Sequence, residues 1–162
     1  NSGAGNDIIT ILETATGKSD IKSGDGIDTI TLPNLNGIDV VSPGGTNVNS
    51  VDKLATTHNA ILADKIINFD PNNDLIVFGS ITATENNFLS ETNAASFNDA
   101  LTKANTAMDL GKSYYFSYNV ANATEGFGLL FYDIDDNGSS DVFLTLTGIT
   151  TDIISHEHLS IV

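Results

Sequence analysis

The chain opens with a nine-residue unit, Ser2-Gly3-Ala4-Gly5-Asn6-Asp7-Ile8-Ile9-Thr10, that returns as Ser23-Gly24-Asp25-Gly26-Ile27-Asp28-Thr29-Ile30-Thr31. Both read x-G-x-G-x-D-x-U-x, where U is a bulky apolar residue. Glycine at the second and fourth places lets the backbone turn sharply with its carbonyls directed inward. Aspartate at the sixth place adds a hard carboxylate oxygen, the ligand type that Ca2+ prefers. The apolar eighth residue enters a short strand and faces a core. One short unit thus joins a backbone shape, a metal ligand and a core position, and no other feature of the sequence restricts the fold as strongly.

The apolar eighth position fixes a frame in which two weaker copies emerge. Residues 14–22 abut the second full repeat and keep Gly17 and Ile21, with Ser19 in place of the aspartate. Residues 34–42 keep Gly37, Asp39 and Val41 but lose the first glycine. Ile11-Leu12-Glu13 and Leu32-Pro33 interrupt the frame, as at the worn end of a repeat array. On the residues alone, Gly-Asp-Gly and Gly-Asn-Asp also make ordinary hairpin turns.

These repeats resemble the calcium-binding nonapeptides of the RTX (repeats-in-toxin) family. The resemblance implies a short parallel β-roll in which two nonapeptides make one coil, so that turns n and n+2 stack. It places Asp7 over Asp28 with one Ca2+ between them, completed by the carbonyls of Ser2, Ala4, Gly24 and Gly26. On the opposite edge it places Ser19 over Asp39, a poorer pair assisted by Asp20. Ile9, Ile21, Ile30 and Val41 would form the inward ladder. Asp64-Lys65-Ile66-Ile67-Asn68-Phe69-Asp70-Pro71-Asn72-Asn73-Asp74-Leu75-Ile76-Val77-Phe78 resembles the segment that closes many RTX rolls, with Asn68 where the family commonly has Asp. It reads as strand, acidic turn, strand, with Ile67, Phe69, Leu75 and Val77 or their neighbours packing across the roll. Asp64 and Asp74 are further metal candidates there.

Composition narrows the partners. Against 21 acidic residues stand 6 lysines and no arginine, a net charge of −15. Such a chain repels nucleic-acid phosphates and anionic membranes and attracts cations. Apolar residues make up 40%, enough for a packed core. Without cysteine there are neither disulfides nor thiolate metal sites, and no apolar run approaches the roughly 20 residues that span a bilayer. Asn1 stands directly before a repeat, as expected of a piece of something longer.

After Pro43-Gly44-Gly45 the repeats stop, and residues 46–63 carry no clear signal. Phe97, Leu101, Ala104 and Met108 recur at helical steps, which predicts an amphipathic helix over about 94–109, capped by Thr92 or Asn93 and ended by Gly111. Residues 113–118, 127–133 and 142–147 read as strands rich in aromatic and aliphatic residues. Between the last two lies Asp133-Ile134-Asp135-Asp136-Asn137-Gly138-Ser139-Ser140-Asp141, which fits the first nine positions of a calcium loop. Leu144 stands at the twelfth position instead of a bidentate Glu, so this is no EF-hand. It is either a hairpin turn that binds an ion through Asp133, Asp135, Asn137 and Asp141, or an Asn-Gly turn closing a hairpin. The stretch from Gly128 to Gly148 also resembles the C-terminal modules of large RTX exoproteins, including S-layer proteins and adhesins.

Enzyme readings find little support. His156 and His158 would share one side of a strand, a spacing compatible with zinc, with His58 as a distant third ligand. Asp70-Pro71 matches the dipeptide at which a separate module of some RTX proteins cleaves itself, although a turn explains it more simply. The expectation is therefore a mainly β chain: a short parallel β-roll of RTX nonapeptides (1–50), capped by a β-rich C-terminal region (51–162) with one helix. Its expected role is a non-catalytic, calcium-binding structural module of a type I-secreted or cell-surface protein of S-layer or adhesin type, extracellular, self-associating in a surface lattice and not inserted in a membrane. The accessory roll of a secreted protease or lipase is the main alternative, and a zinc-dependent or self-cleaving enzyme the remote one.

Overall fold

Each apolar repeat position sits in a strand of three or four residues: β1 (Ile8–Thr10), β2 (Ser19–Lys22), β3 (Thr29–Thr31) and β4 (Asp39–Ser42). The structure is a computed structural model, and it describes residues 2–12, 17–33, 39–42, 64–77, 81–120, 127–149 and 151–160. Successive strands enter two sheets in alternation. β1 runs parallel to β3 with Ile9 opposite Ile30, and β2 runs parallel to β4 with Ile21 opposite Val41. Ile21, Ile30 and Val41 are buried and Ile9 is half-buried. Gly37 and residues 43–63, His58 among them, lie outside the described residues.

The stacking continues past residue 50. β5 (Asp64–Ile67) joins β3 with Ile66 opposite Ile30, and β6 (Leu75–Val77) joins β4 with Ile76 opposite Val41. The strand–turn–strand segment therefore arches from one sheet to the other and buries Ile66, Phe69 and Ile76. The buried positions are the neighbours of Ile67, Leu75 and Val77, because β pairing sets the inward phase at Asp64 and Ile66. Strands from 1–50 and from 51–162 lie side by side in both sheets.

The larger sheet then changes direction. β10 (Val142–Thr147) lies parallel to β5 and antiparallel to β9 (Phe127–Tyr132). β8 (Tyr114–Tyr118) and β7 (Phe88–Thr92) follow, giving the order β1-β3-β5-β10-β9-β8-β7. The smaller sheet runs β11 (Leu159–Ser160)-β6-β4-β2. Alternation along β8 divides the core: Tyr114 and Phe116 share one cluster with Ile66, Leu144, Ile21, Ile30 and Val41, and Tyr115 shares the other with Leu101, Ala104, Met108 and Phe131 under the helix.

That helix, α1, spans Phe97–Asp109 and connects the parallel strands β7 and β8. Its cap is Ser96, not Thr92 or Asn93: the Asp99 N–H donates to Ser96 Oγ (3.2 Å), and Asp99 Oδ2 accepts the Ala95 N–H (2.8 Å). Thr92 is the last residue of β7 and is committed to the sheet. Gly111, at φ +88°, ends the helix through its N–H to the Met108 carbonyl. No helix among the described residues is long and apolar enough to cross a membrane.

Candidate metal centre

Parallel pairing without a register shift puts equivalent residues of alternate repeats directly opposite one another. In three parallel strands of the larger sheet an aspartate holds the same level: Asp7 just before β1, Asp28 just before β3, and Asp64 at the start of β5 opposite Asp28. The carboxylates of Asp28 and Asp64 each take the backbone N–H of the aspartate on the preceding strand of the sheet. Asp7 N–H donates to Asp28 Oδ1 (2.8 Å), and Asp28 N–H donates to Asp64 Oδ1 (2.9 Å). Asp28 and Asp64 are fully buried, facing the same side as Ile30 and Ile66. Asp28 Oδ2 and Asp7 Oδ2 are buried atoms with no hydrogen-bond partner.

A second column runs along the smaller sheet. Ser19 lies opposite Asp39, and Asp39 N–H donates to Asp74 Oδ1 (3.1 Å). Asp39 is buried with its Oδ1 unpartnered. Burial pushes the Asp74 carboxyl above the usual range, helped by the neighbouring charges of Asp39 and Asp70 and opposed by the N–H groups of Asp70 and Asp39. Asp20 does not join this column. It lies on the exposed face of β2 and pairs with Lys18 (3.3 Å), because the two-residue period that turns Ser19 and Ile21 inward turns Asp20 out.

The glycine turns stack as closely as their backbones allow. Gly5 N–H donates to the Asp25 carbonyl (2.6 Å), Asp25 N–H to the Gly3 carbonyl (2.8 Å), and Ser2 Oγ to the Ser23 carbonyl. The carbonyls of Gly3 and Asp25 are thus used between turns, and those of Ser2, Ala4, Gly24 and Gly26 belong to the alternating residues. Gly24 (φ +90°) and Gly26 (φ +138°) are left-handed, and a Cβ on either would overlap the carbonyl oxygen of Gly3 or Gly5.

A third group of carboxylates lies in the hairpin between β9 and β10. Asp133 Oδ1 and Oδ2 accept the N–H groups of Asn137 (3.2 Å) and Gly138 (2.8 Å), and Asp141 Oδ2 accepts that of Ile134 (2.8 Å). Asp135 Oδ1 accepts the Asn137 N–H as well (3.2 Å). One oxygen from each of Asp133, Asp135 and Asp141 falls within 4.8 Å of the others, so these three could hold a metal ion. Asp133 and Asp141 are buried, Asp135 and Asn137 are exposed, and Asp141 Oδ1 is a buried atom with no partner. Burial, with the charges of Asp141 and Asp135, holds the Asp133 carboxyl above its usual range.

The histidines make a different arrangement from the one expected. His156–His158 form a 3₁₀ turn, not a strand, so positions two apart do not share a face. His158 Nδ1 accepts the Ser155 N–H (2.9 Å), and Nε2 lies 2.8 Å from the Pro71 carbonyl, a pairing that fits the neutral Nε2–H tautomer. Both ring nitrogens are engaged, and the ring pins the C-terminal segment to the turn after Asp70. That turn is held by the Asp70 carboxylate, which the Asn72 N–H, then the Asn73 amide, keep below the usual range.

Sequence spacing pairs Asp7 with Asp28 but does not show that Asp64 and Asp74 extend the same two columns. The step from Asp7 to Asp28 is 21 residues, whereas the next steps are 36 and 35. The only signal was the D-x-I pattern itself, carried past an insertion that hides the period. Compared with known proteins, the chain matches no family model and no curated protein sequence.

Proposed function

We propose that the chain is a non-catalytic, calcium-binding structural module of an exported or cell-surface protein, built on a short β-roll of the RTX kind. The observation that carries this reading is the pair of stacked carboxylate columns, Asp7–Asp28–Asp64 and Asp39–Asp74, in which Asp7 Oδ2, Asp28 Oδ2 and Asp39 Oδ1 are buried without partners. Charges one strand apart, about 4.8 Å, repel by roughly 3 kcal/mol at an effective dielectric of about 20. Two or three such repulsions match the whole stability of an ordinary domain, about 5–15 kcal/mol. A cation between the coils reverses their sign.

The donor set selects the ion. Carboxylates and backbone carbonyls are hard oxygen ligands, and Ca2+ accepts six to eight of them in loose geometry, whereas Mg2+ demands near-ideal octahedral order. Zinc finds no thiolate in the chain and an occupied ring at His158. In calcium-poor cytosol the repelling columns and glycine turns keep the roll unfolded. Outside, Ca2+ at concentrations above a dissociation constant of about 10⁻⁴–10⁻³ M makes binding free energy into folding free energy. The parent protein is of the S-layer or adhesin type, where a rigid acidic module can be cross-linked in a lattice by further Ca2+.

Calorimetric titration of Ca2+ into chelator-stripped protein tests this. Asp28→Asn keeps an oxygen for the Asp7 N–H and removes the charge, so it should weaken calcium binding by on the order of tenfold or more. Unchanged stoichiometry and affinity in this variant would refute the columns as the site. His158→Ala should leave metal content untouched, lowering stability only.

A further inference from the structure

The 133–141 loop belongs to a different part of the fold from the two columns, and it touches more than its own hairpin. The Ser140 N–H donates to Asn105 Oδ1 (2.8 Å) on α1. Gly138, at φ +84°, lies against the last turn of α1: a Cβ there would stand 2.8 Å from Asp109 Oδ1 and 3.5 Å from Asp109 Cα. The Asp133 N–H donates to the Ser113 carbonyl (3.0 Å), just beyond the end of α1. The loop is thus built against the C-terminal half of the helix.

We propose that this loop holds a hard divalent cation of its own through Asp133, Asp135 and Asp141, and that the ion clamps the C-terminal half of α1 to the β9–β10 hairpin, a step that builds on the calcium-binding function proposed above. Two observations meet at the site. Three carboxylate oxygens lie within 4.8 Å of one another. Asp141, one of the three and only 8% exposed, has a buried Oδ1 with no partner. Asp133 Oδ1 and Oδ2, Asp135 Oδ1 and Asp141 Oδ2 accept N–H groups that fix the carboxylates in place, while Asp141 Oδ1 lacks the positive partner that burial of a charge requires.

Electrostatics gives the clamp its direction. The last turn of α1 contains no basic residue and ends on Asp109, at the negative pole of the helix dipole. Without an ion, that pole and Asp109 lie beside a loop that carries three further carboxylates, whose charge repels them. With an ion in the loop, the same pole and Asp109 are attracted. Cation occupancy therefore decides whether α1 is held down or lifts at its C-terminal end, independently of the stacking of the coils.

Terbium separates this site from the columns. The chain has no tryptophan, and its four tyrosines all lie in β8 and β9. Tyr132 directly precedes Asp133 and stacks on Tyr114 with ring centroids 4.7 Å apart. Tyrosine-sensitised Tb3+ emission, displaced by Ca2+, should titrate in the unaltered chain and in Asp28→Asn. It should weaken by on the order of tenfold or more in Asp135→Asn and in Asp141→Asn. Asp135 is exposed, so that variant keeps the fold even if Asp141→Asn does not. Hydrogen exchange in saturating Ca2+ should show the amides of residues 104–109 losing protection, relative to those of β5, in Asp135→Asn but not in Asp28→Asn. Emission unaffected by either loop substitution, or lost in Asp28→Asn alone, would overturn the loop site. Loop binding with no change in α1 exchange would overturn the clamp. Columns that bind no Ca2+ while the loop does would refute the proposed function and leave this site standing.

Discussion

Gly24 and Gly3 occupy the same place in consecutive coils, yet they answer to different constraints. Both are left-handed, but a Cβ at Gly24 would overlap the Gly3 carbonyl, whereas a Cβ at Gly3 meets nothing within 4 Å. Gly3→Ala should therefore cost only the left-handed strain, about 1–2 kcal/mol. Gly24→Ala should cost clearly more, since the coils must also separate; denaturant unfolding in saturating Ca2+ compares the two. The carboxylates make a second prediction. Burial holds Asp74 and Asp133 above their ordinary 3.8, so the folded state binds their protons more tightly than the unfolded chain does. In chelator, folded structure should therefore increase as pH falls from neutral toward 3.8. Asp70 and Asp99 are held below 3.8, and the stability they supply is lost as pH falls beneath that value. With Ca2+ present the gain on mild acidification should vanish, because protons compete with the ion. A pH series of circular dichroism with and without chelator checks both signs. At this scale the sequence was legible where a pattern ties residue to neighbour: Asp7 and Asp28 share a column, and Ile9, Ile21, Ile30 and Val41 point in. Asp20 is acidic like Asp39 and Asp74 of the column, but the two-residue alternation of β2 turns it to solvent beside Lys18.

Among the elements, β5 is the joint. It receives β3 on one side and β10 on the other, and Ile66 lies between Ile30 and Leu146 with no exposed surface. Ile66→Ala should cost about 2–5 kcal/mol and lower the stability of coil and helix halves together; hydrogen exchange that loosens only one half would contradict this. At the start of α1, Ser96→Ala should cost about 1 kcal/mol. Strands β8, β9 and β10 and the body of α1 were readable from apolar period and aromatic content. The cap was less so, because Thr92, Asn93 and Ser96 are all competent and only the end of β7 decides among them. His156–His158 shows the same limit: a histidine pair two apart reads as a strand face, but Ser155 caps a 3₁₀ turn there through the Glu157 N–H. Pairing between distant strands, such as β11 with β6, leaves no trace in local spacing.

For the whole molecule the governing quantity is charge. A net −15 is distributed so that ion pairs such as Lys18–Asp20 and Lys103–Asp99 lie toward solvent, while aspartates gather inside the two columns and the hairpin loop. Surface ion pairs contribute about 0–1 kcal/mol each, too little to offset buried carboxylate repulsion of several kcal/mol. Among the described residues the molecule thus combines an apolar core with several buried aspartates, and the proposed role of Ca2+ is to balance them. The most direct test of calcium-driven folding is far-UV circular dichroism with parallel calorimetry during a Ca2+ titration of chelator-stripped protein, with Mg2+ and Asp28→Ala as controls. A gain of β structure and thermal stability that is specific to Ca2+ and weakened in the variant is the predicted result. A chain that is fully folded in chelator and takes up no Ca2+ would contradict it.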